Sequence, residues 1–251
     1  MPDKLKGLLT ELRLTRMKEC YEEIGARALQ NQLSYEEYLY ELLLQEYEER
    51  MHNRIGRLLR QSKLPIGKTL KTLDRKRLPA KVNKQLSMLL DGSFTSRAEN
   101  VLVFGSPGSG KSHLISALGH ELVNQGKRVL FYRCDILLQE FLHIKQELKL
   151  PWKFGQISRC DAIVIDDIGY VQQSREEMEV LFSLLASCYE QTSIMLTSNL
   201  TFSHWEKIFK DPVTATAAID RLVHHSIIME LNLPSYRLEE AKKRNNDSTK
   251  K

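Results

Sequence analysis

The chain has 251 residues, 42% hydrophobic and 27% charged, which suits one large α/β domain with a small extra module. No apolar run approaches the roughly 18–20 residues of a membrane helix, and Met1-Pro2-Asp3-Lys4 lacks the apolar stretch of a secretory signal, so membrane-spanning and secreted classes are set aside. The net charge of +5 is local: residues 50–84 hold 12 basic residues against a single acid, Asp74, a stretch suited either to a polyanion partner or to a solvated linker.

The four cysteines, Cys20, Cys134, Cys160 and Cys188, form no C-x-x-C pair. Reduced thiols in a cytoplasmic protein are the expectation.

In chain order, Leu5, Leu8, Leu9, Leu12, Met17, Tyr21 and Ile24 recur at helical spacing and predict one or two short amphipathic helices. Ser34 with Glu37 three residues later is a capping-box start. The helix it opens is expected to run to about Ser62, where Lys63-Leu64-Pro65 stops it. Its first half is acidic. Its second half places Arg50, Arg54 and Arg57 on one face, with Arg60 nearby and Ile55, Leu58 and Leu59 opposite. Residues 63–85, with Lys63, Lys68 and Lys71, read as a basic connector.

Thereafter the pattern becomes α/β. Strands are expected at Val101–Phe104, Val129–Tyr132, Ala162–Asp166, Ile194–Thr197 and Ser226–Glu230. Helices are expected over 111–125, 135–148 and 175–190. Alternation of this kind implies a parallel sheet covered on both faces. The domain reading is a helical module at 1–62, the connector at 63–85, an α/β core at 86–238 and a polar frayed tail at 239–251.

Gly105-Ser106-Pro107-Gly108-Ser109-Gly110-Lys111-Ser112 matches G-x-x-x-x-G-K-[ST] between a strand and a helix. Glycines let the backbone wrap phosphates with its N–H groups inward, and the helix start adds its positive end. Lys111 is expected on the β- and γ-phosphates of ATP, Ser112 on Mg²⁺, and His113 follows at the edge of the site. Ala162-Ile-Val-Ile-Asp166-Asp167 is a Walker B form. Asp166 is expected to hold Mg²⁺ through water, and Asp167 to orient or deprotonate the attacking water.

Leu196-Thr197-Ser198-Asn199 ends the next strand, where Thr or Asn can hold that water. Arg221 lies near the end of a helix over Ala215–Leu222. Taken alone it reads as a surface arginine paired with Asp220. His224-His225 does not read as a metal site, since adjacent side chains rarely converge on one ion. His113 and His120 fall on one helix. Trp152 and Trp205 read as core or hinge aromatics.

With these residues in place, the chain resembles the IstB-like branch of the AAA+ ATPases, the helper ATPases encoded beside transposases in bacterial insertion sequences. The resemblance rests on Tyr35-Glu-Glu-Tyr-Leu39, Leu64-Pro65, the P-loop, Val164-Ile-Asp-Asp-Ile-Gly-Tyr170, Thr197 to Trp205, and Ala215 to Ile228 with its Asp220-Arg221-Leu222 segment. It implies a P-loop AAA+ sheet with flanking helices behind a small all-α domain. By that likeness Asn199 is a sensor residue, Arg221 an arginine supplied to a neighbouring subunit of a homo-oligomer, and Arg237 in Ser235-Tyr-Arg237-Leu a nucleotide contact. The resemblance further implies assembly on DNA and assistance to a transposase, with Arg50, Arg54, Arg57, Arg60, Lys63, Lys68 and Lys71 as expected backbone contacts. A replicative helicase loader similar to DnaC, or a nucleotide-switched scaffold with little turnover, are the neighbouring readings. Asp-Asp stands where many AAA+ proteins have Asp-Glu, which implies slow hydrolysis, and the stretch after the last strand is short for a full AAA+ lid.

Overall fold

A computed structural model describes residues 2–169, 174–205, 212–236 and 239. It divides into two compact units, Met1–Arg57 and Leu58–Lys251.

The first unit holds α1 (Pro2–Glu11), α2 (Thr15–Gln30) and most of α3 (Tyr35–Ser62). Leu9, Met17, Cys20, Ile24 and Leu42 form its core. The capping box that starts α3 is present: the Glu37 amide donates to Ser34 Oγ at 3.2 Å and the Ser34 amide to Glu37 Oε2 at 2.7 Å. The start of α2 lacks a cap of its own. Glu46 on α3 supplies one, its Oε2 accepting from the Arg16 and Met17 amides at 2.9 and 3.1 Å. A carboxylate thus sits at the positive end of α2.

The second unit is built on β1 (Asn100–Gly105), β2 (Val129–Arg133), β3 (Ala162–Ile168), β4 (Ser193–Ser198) and β5 (Ser226–Leu231). The sheet order is β2-β3-β4-β1-β5, and every pairing is parallel. The helices are α4 (Ala80–Leu89), the single turn α5 (Ser93–Ser96), α6 (Lys111–Asn124), α7 (Cys134–Gln146), α8 (Leu150–Ile157), α9 (Arg175–Cys188) and α10 (Pro212–Val223). The apolar strand centres are buried as β1–β4 predict, with Leu102, Val164, Ile165 and Leu196 fully inaccessible. Asn100, at the start of β1, ties β4 and α10 together. Its Oδ1 accepts from the Ile194 amide at 2.8 Å, and its Nδ2 donates to the Leu222 carbonyl at 3.0 Å.

Residues 63–85 carry more structure than a connector. A 3-10 turn covers Arg75–Arg77 and α4 begins at Ala80. Leu64, Val82 and Leu86 are buried, each worth about 1.5–3 kcal/mol of apolar transfer. Trp205 is fully buried and donates to the Leu200 carbonyl at 3.3 Å, whereas Trp152 is exposed. All four cysteines are free thiols, and burial pushes that of Cys188 up to about 12. No helix among the described residues is long and apolar enough to cross a membrane.

Candidate functional site

The turn from β1 into α6 forms the P-loop. Gly105 and Gly108 have φ of 155° and 79°, and a Cβ at either would overlap the Leu231 carbonyl or the Ser235 side chain. Only glycine fits both the backbone conformation and this close approach. The chain after β5 braces the loop: the Tyr236 amide donates to Gly108 O at 3.0 Å, and Ser106 Oγ to Leu233 O at 3.1 Å. Helix α6 starts at Lys111, so its positive end faces the loop. Lys111 is buried, and its Nζ donates to the carbonyls of Gly105 and Ser106 at 2.8 and 3.0 Å.

A cavity of about 360 Å³ opens there. Pro107 to His113 line it, together with Asp167, Asn199, Leu233 and Tyr236, and with Lys68, Thr72, Leu73 and Arg77 from the basic segment. Its polar lining includes two acids, Asp74 and Asp167, and its apolar lining is Leu73, Leu78, Leu233 and the Tyr236 ring, groups suited to a planar base.

The two acids of β3 diverge because the strand bulges. The β3–β4 register shifts between Ile165 and Ile168, and Asp167 has φ of 63°. A left-handed aspartate is uncommon and strained, and it turns successive side chains to different uses. Asp166 is buried at 4% exposure. Thr197 Oγ1 donates to Asp166 Oδ1 at 2.6 Å and accepts from the Asp167 amide at 2.8 Å. One hydroxyl therefore fixes both acids. Asp167 lines the cavity with Asn199. Burial and the neighbouring Asp166 charge hold its pKa above the ordinary value, against the pull of Lys111, Lys68 and Arg133. The sequence named Thr or Asn as the water-holding pair. Thr197 is instead fully enclosed, and only Asn199 faces the cavity.

The donor types suit Mg²⁺: Ser112 lines the cavity, and Asp166, which does not itself line it, keeps Oδ2 beyond its bond to Thr197. His113 lines the cavity too, but its Nε2 lies 3.0 Å from Thr72 Oγ1 and 3.2 Å from the Thr69 carbonyl. Burial, aided by the Lys68 charge, lowers its pKa. His113 thus ties the loop over the site to α6.

Arg221 lies away from this cavity. Its guanidinium stacks 4.9 Å from the Phe182 ring centroid and donates to the Ala217 carbonyl at 3.1 Å, rather than pairing with Asp220. Arg237 lies outside the described residues.

Of the expected DNA contacts, Arg54, Arg57, Arg60 and Lys71 are exposed. Arg50 is committed to Glu46 and to the Arg13 carbonyl, both at 2.8 Å. Lys63 lies 4.0 Å from Glu140 and 5.2 Å from the Tyr132 ring centroid. Lys68 lines the cavity beside the P-loop. The histidine pair meets an acid that sequence distance concealed: ligand atoms of His224, His225 and Glu190 lie within 4.8 Å of one another, all exposed.

Residues 7–244 match the family model described as IstB-like ATP binding protein. A protein named for ATP binding in insertion sequence IS21 of Pseudomonas aeruginosa is 38% identical over 240 residues, covering 96% of this chain and 91% of that one. Among solved structures, the DnaC helicase loader superposes with a TM-score of 0.53 at 15% identity, over 61% of this chain and 89% of its own. AMPPCP-bound DnaA from Aquifex aeolicus does so at 0.56 and 19%, over 74% of this chain and 56% of its own. These likenesses give the fold, AAA+. The chain belongs to the IstB-like family of ATP-binding proteins associated with insertion sequences.

Proposed function

We propose that this chain hydrolyses ATP with Mg²⁺, that it oligomerises on duplex DNA, and that it assists an insertion-sequence transposase. The observation that carries the reading is one cavity joining the P-loop, Asp167 and Asn199. In this reading the loop amides and Lys111 hold the β- and γ-phosphates. Ser112 and Asp166 would hold Mg²⁺, which neutralises phosphate charge when bound. Asp167 orients the attacking water and takes its proton, and its raised pKa makes it a better base than an ordinary aspartate. Asn199 positions the same water. Arg221, remote from the cavity of its own chain, stabilises developing charge in a neighbour's site. The exposed arginines of α3 bind the DNA backbone without reading sequence.

A helicase loader shares the fold, but the insertion-sequence relative at 38% identity favours the transposition reading. Electron microscopy with duplex DNA tests it. Wild type is expected to assemble with a non-hydrolysable ATP analogue and Lys111→Ala is not. Equal assembly by Lys111→Ala would remove the P-loop from the mechanism.

A further inference from the structure

The loop that follows α3 is fastened to α6 along its length. Leu64 is buried over Gly119, where an added Cβ would lie 2.9 Å from Leu64 Cδ2. His120 Nε2 lies 3.0 Å from the Pro65 carbonyl. That oxygen can only accept, so the ring donates from Nε2. The Lys68 amide donates to the same carbonyl at 3.2 Å. Thr72 Oγ1 donates to the Gly67 carbonyl at 2.8 Å and meets His113 at 3.0 Å. Lys68 therefore stands on a closed turn, held on both sides to the helix that begins at the P-loop.

Three cations line the cavity: Lys68, Arg77 and Lys111. Lys111 engages the carbonyls of Gly105 and Ser106. Arg77 bonds the Pro234 carbonyl, pairs with Glu239 at 3.0 Å and lies 5.0 Å from the Tyr236 ring centroid. Those contacts hold Arg77 beside the aromatic ring. Lys68 is half-buried, and its ammonium has no hydrogen-bond or ion-pair partner among the described residues. Lys68 lines the cavity together with Asp167 and Asn199, and the contacts of Thr69 and Thr72 with His113 set its loop against the first turn of α6. An ammonium on a fixed loop beside the P-loop is placed to receive an anion, and ATP brings one.

We infer that Lys68 is a phosphate-contacting residue of the ATP site, reaching the terminal phosphate from outside the P-loop and separating ATP from ADP. The inference rests on the P-loop reading. It removes Lys68 from the basic residues expected on DNA, and it makes residues 64–72 responsive to whether a third phosphate is present.

Titration of full-length protein with fluorescent ATP and ADP analogues tests it, alongside salt-dependent DNA binding without nucleotide. Lys68→Gln is expected to weaken ATP about tenfold and ADP less than about twofold, the loss of one charge-assisted contact. Lys68→Arg recovers most of the difference, since it restores the charge on the same loop. The DNA salt slope stays unchanged. Equal losses for both nucleotides, or none, overturn the inference, as does a shallower DNA slope with the ATP-to-ADP ratio intact. Lys111→Ala is the control. If it binds both nucleotides normally, the P-loop reading fails and Lys68 with it. If it loses them while Lys68→Gln behaves as wild type, only Lys68 is reassigned.

Discussion

Asp167 answers two opposed requirements. A base near phosphates must be ionised, yet burial and the adjacent Asp166 raise its pKa. A carboxyl with a raised folded-state pKa lowers stability as pH climbs past the unfolded value, because the unfolded state ionises first. Asp167→Asn is therefore expected to abolish steady-state ATP turnover while raising the melting temperature at pH 7. The gain should shrink as pH falls toward the ordinary aspartate value of 3.8. Unaltered turnover would take Asp167 out of the reaction, and a lower melting temperature would contradict the electrostatic account. The four apolar residues before Asp166-Asp167 made this pair readable in sequence. The bulge that separates their roles was not readable, because it depends on pairing with β4 across about thirty residues. The same distance hid the clamp at Thr197.

Helix starts were legible where the cap is local and illegible where it is supplied from elsewhere. Ser34 and Glu37 announce α3 at a spacing of three. Glu46 looks like one more surface acid on α3, and nothing nearby in sequence links it to α2. Folding brings it to the Arg16 and Met17 amides, and Arg50 bonds it from one turn further along. Burial opposes its ionisation, but the bonds from Arg50, Met17 and Arg16 together hold its pKa below the ordinary value. The stability it lends is complete above the unfolded carboxyl pKa and lost as pH falls through the lower folded value. Glu46→Gln is expected to destabilise residues 1–57 by about 1–3 kcal/mol at neutral pH. Hydrogen exchange of the α2 amides should record the loss, and the difference from wild type should close in acid. Equal protection at neutral pH would mean that the cap contributes nothing. Arg50, committed to this cap, is also one cation fewer for the DNA face proposed on α3. Likewise, the basic composition of residues 63–85 masked Val82, Leu86 and Leu89, whose spacing of four and three was available to read as α4.

At the scale of the whole molecule, the parallel pairing follows from alternating apolar strands and helices, whereas the strand order β2-β3-β4-β1-β5 does not, so the fold was legible in outline only. The proposed assembly was not legible from the residues alone. Arg221 looks unremarkable by composition, and its contacts with Phe182 and the Ala217 carbonyl describe a well-packed arginine remote from its own cavity. Its role toward a neighbour came from the family resemblance alone. That role has a consequence no single-chain function shares. If each site draws Asp167 from one subunit and Arg221 from the next, Arg221→Ala should lower turnover about 10³-fold or more, with ATP affinity nearly unchanged. Mixing it with Asp167→Asn protein should then restore part of the activity. In a mixed assembly, some interfaces join the intact Asp167 of one variant to the intact Arg221 of the other. Neither protein can do this alone, and an enzyme with self-contained sites gains nothing from mixing. Turnover measured across mixing ratios, with DNA present, is expected to peak near equal amounts. A flat, inactive series would confine catalysis to one chain and return Arg221 to a structural role on α10.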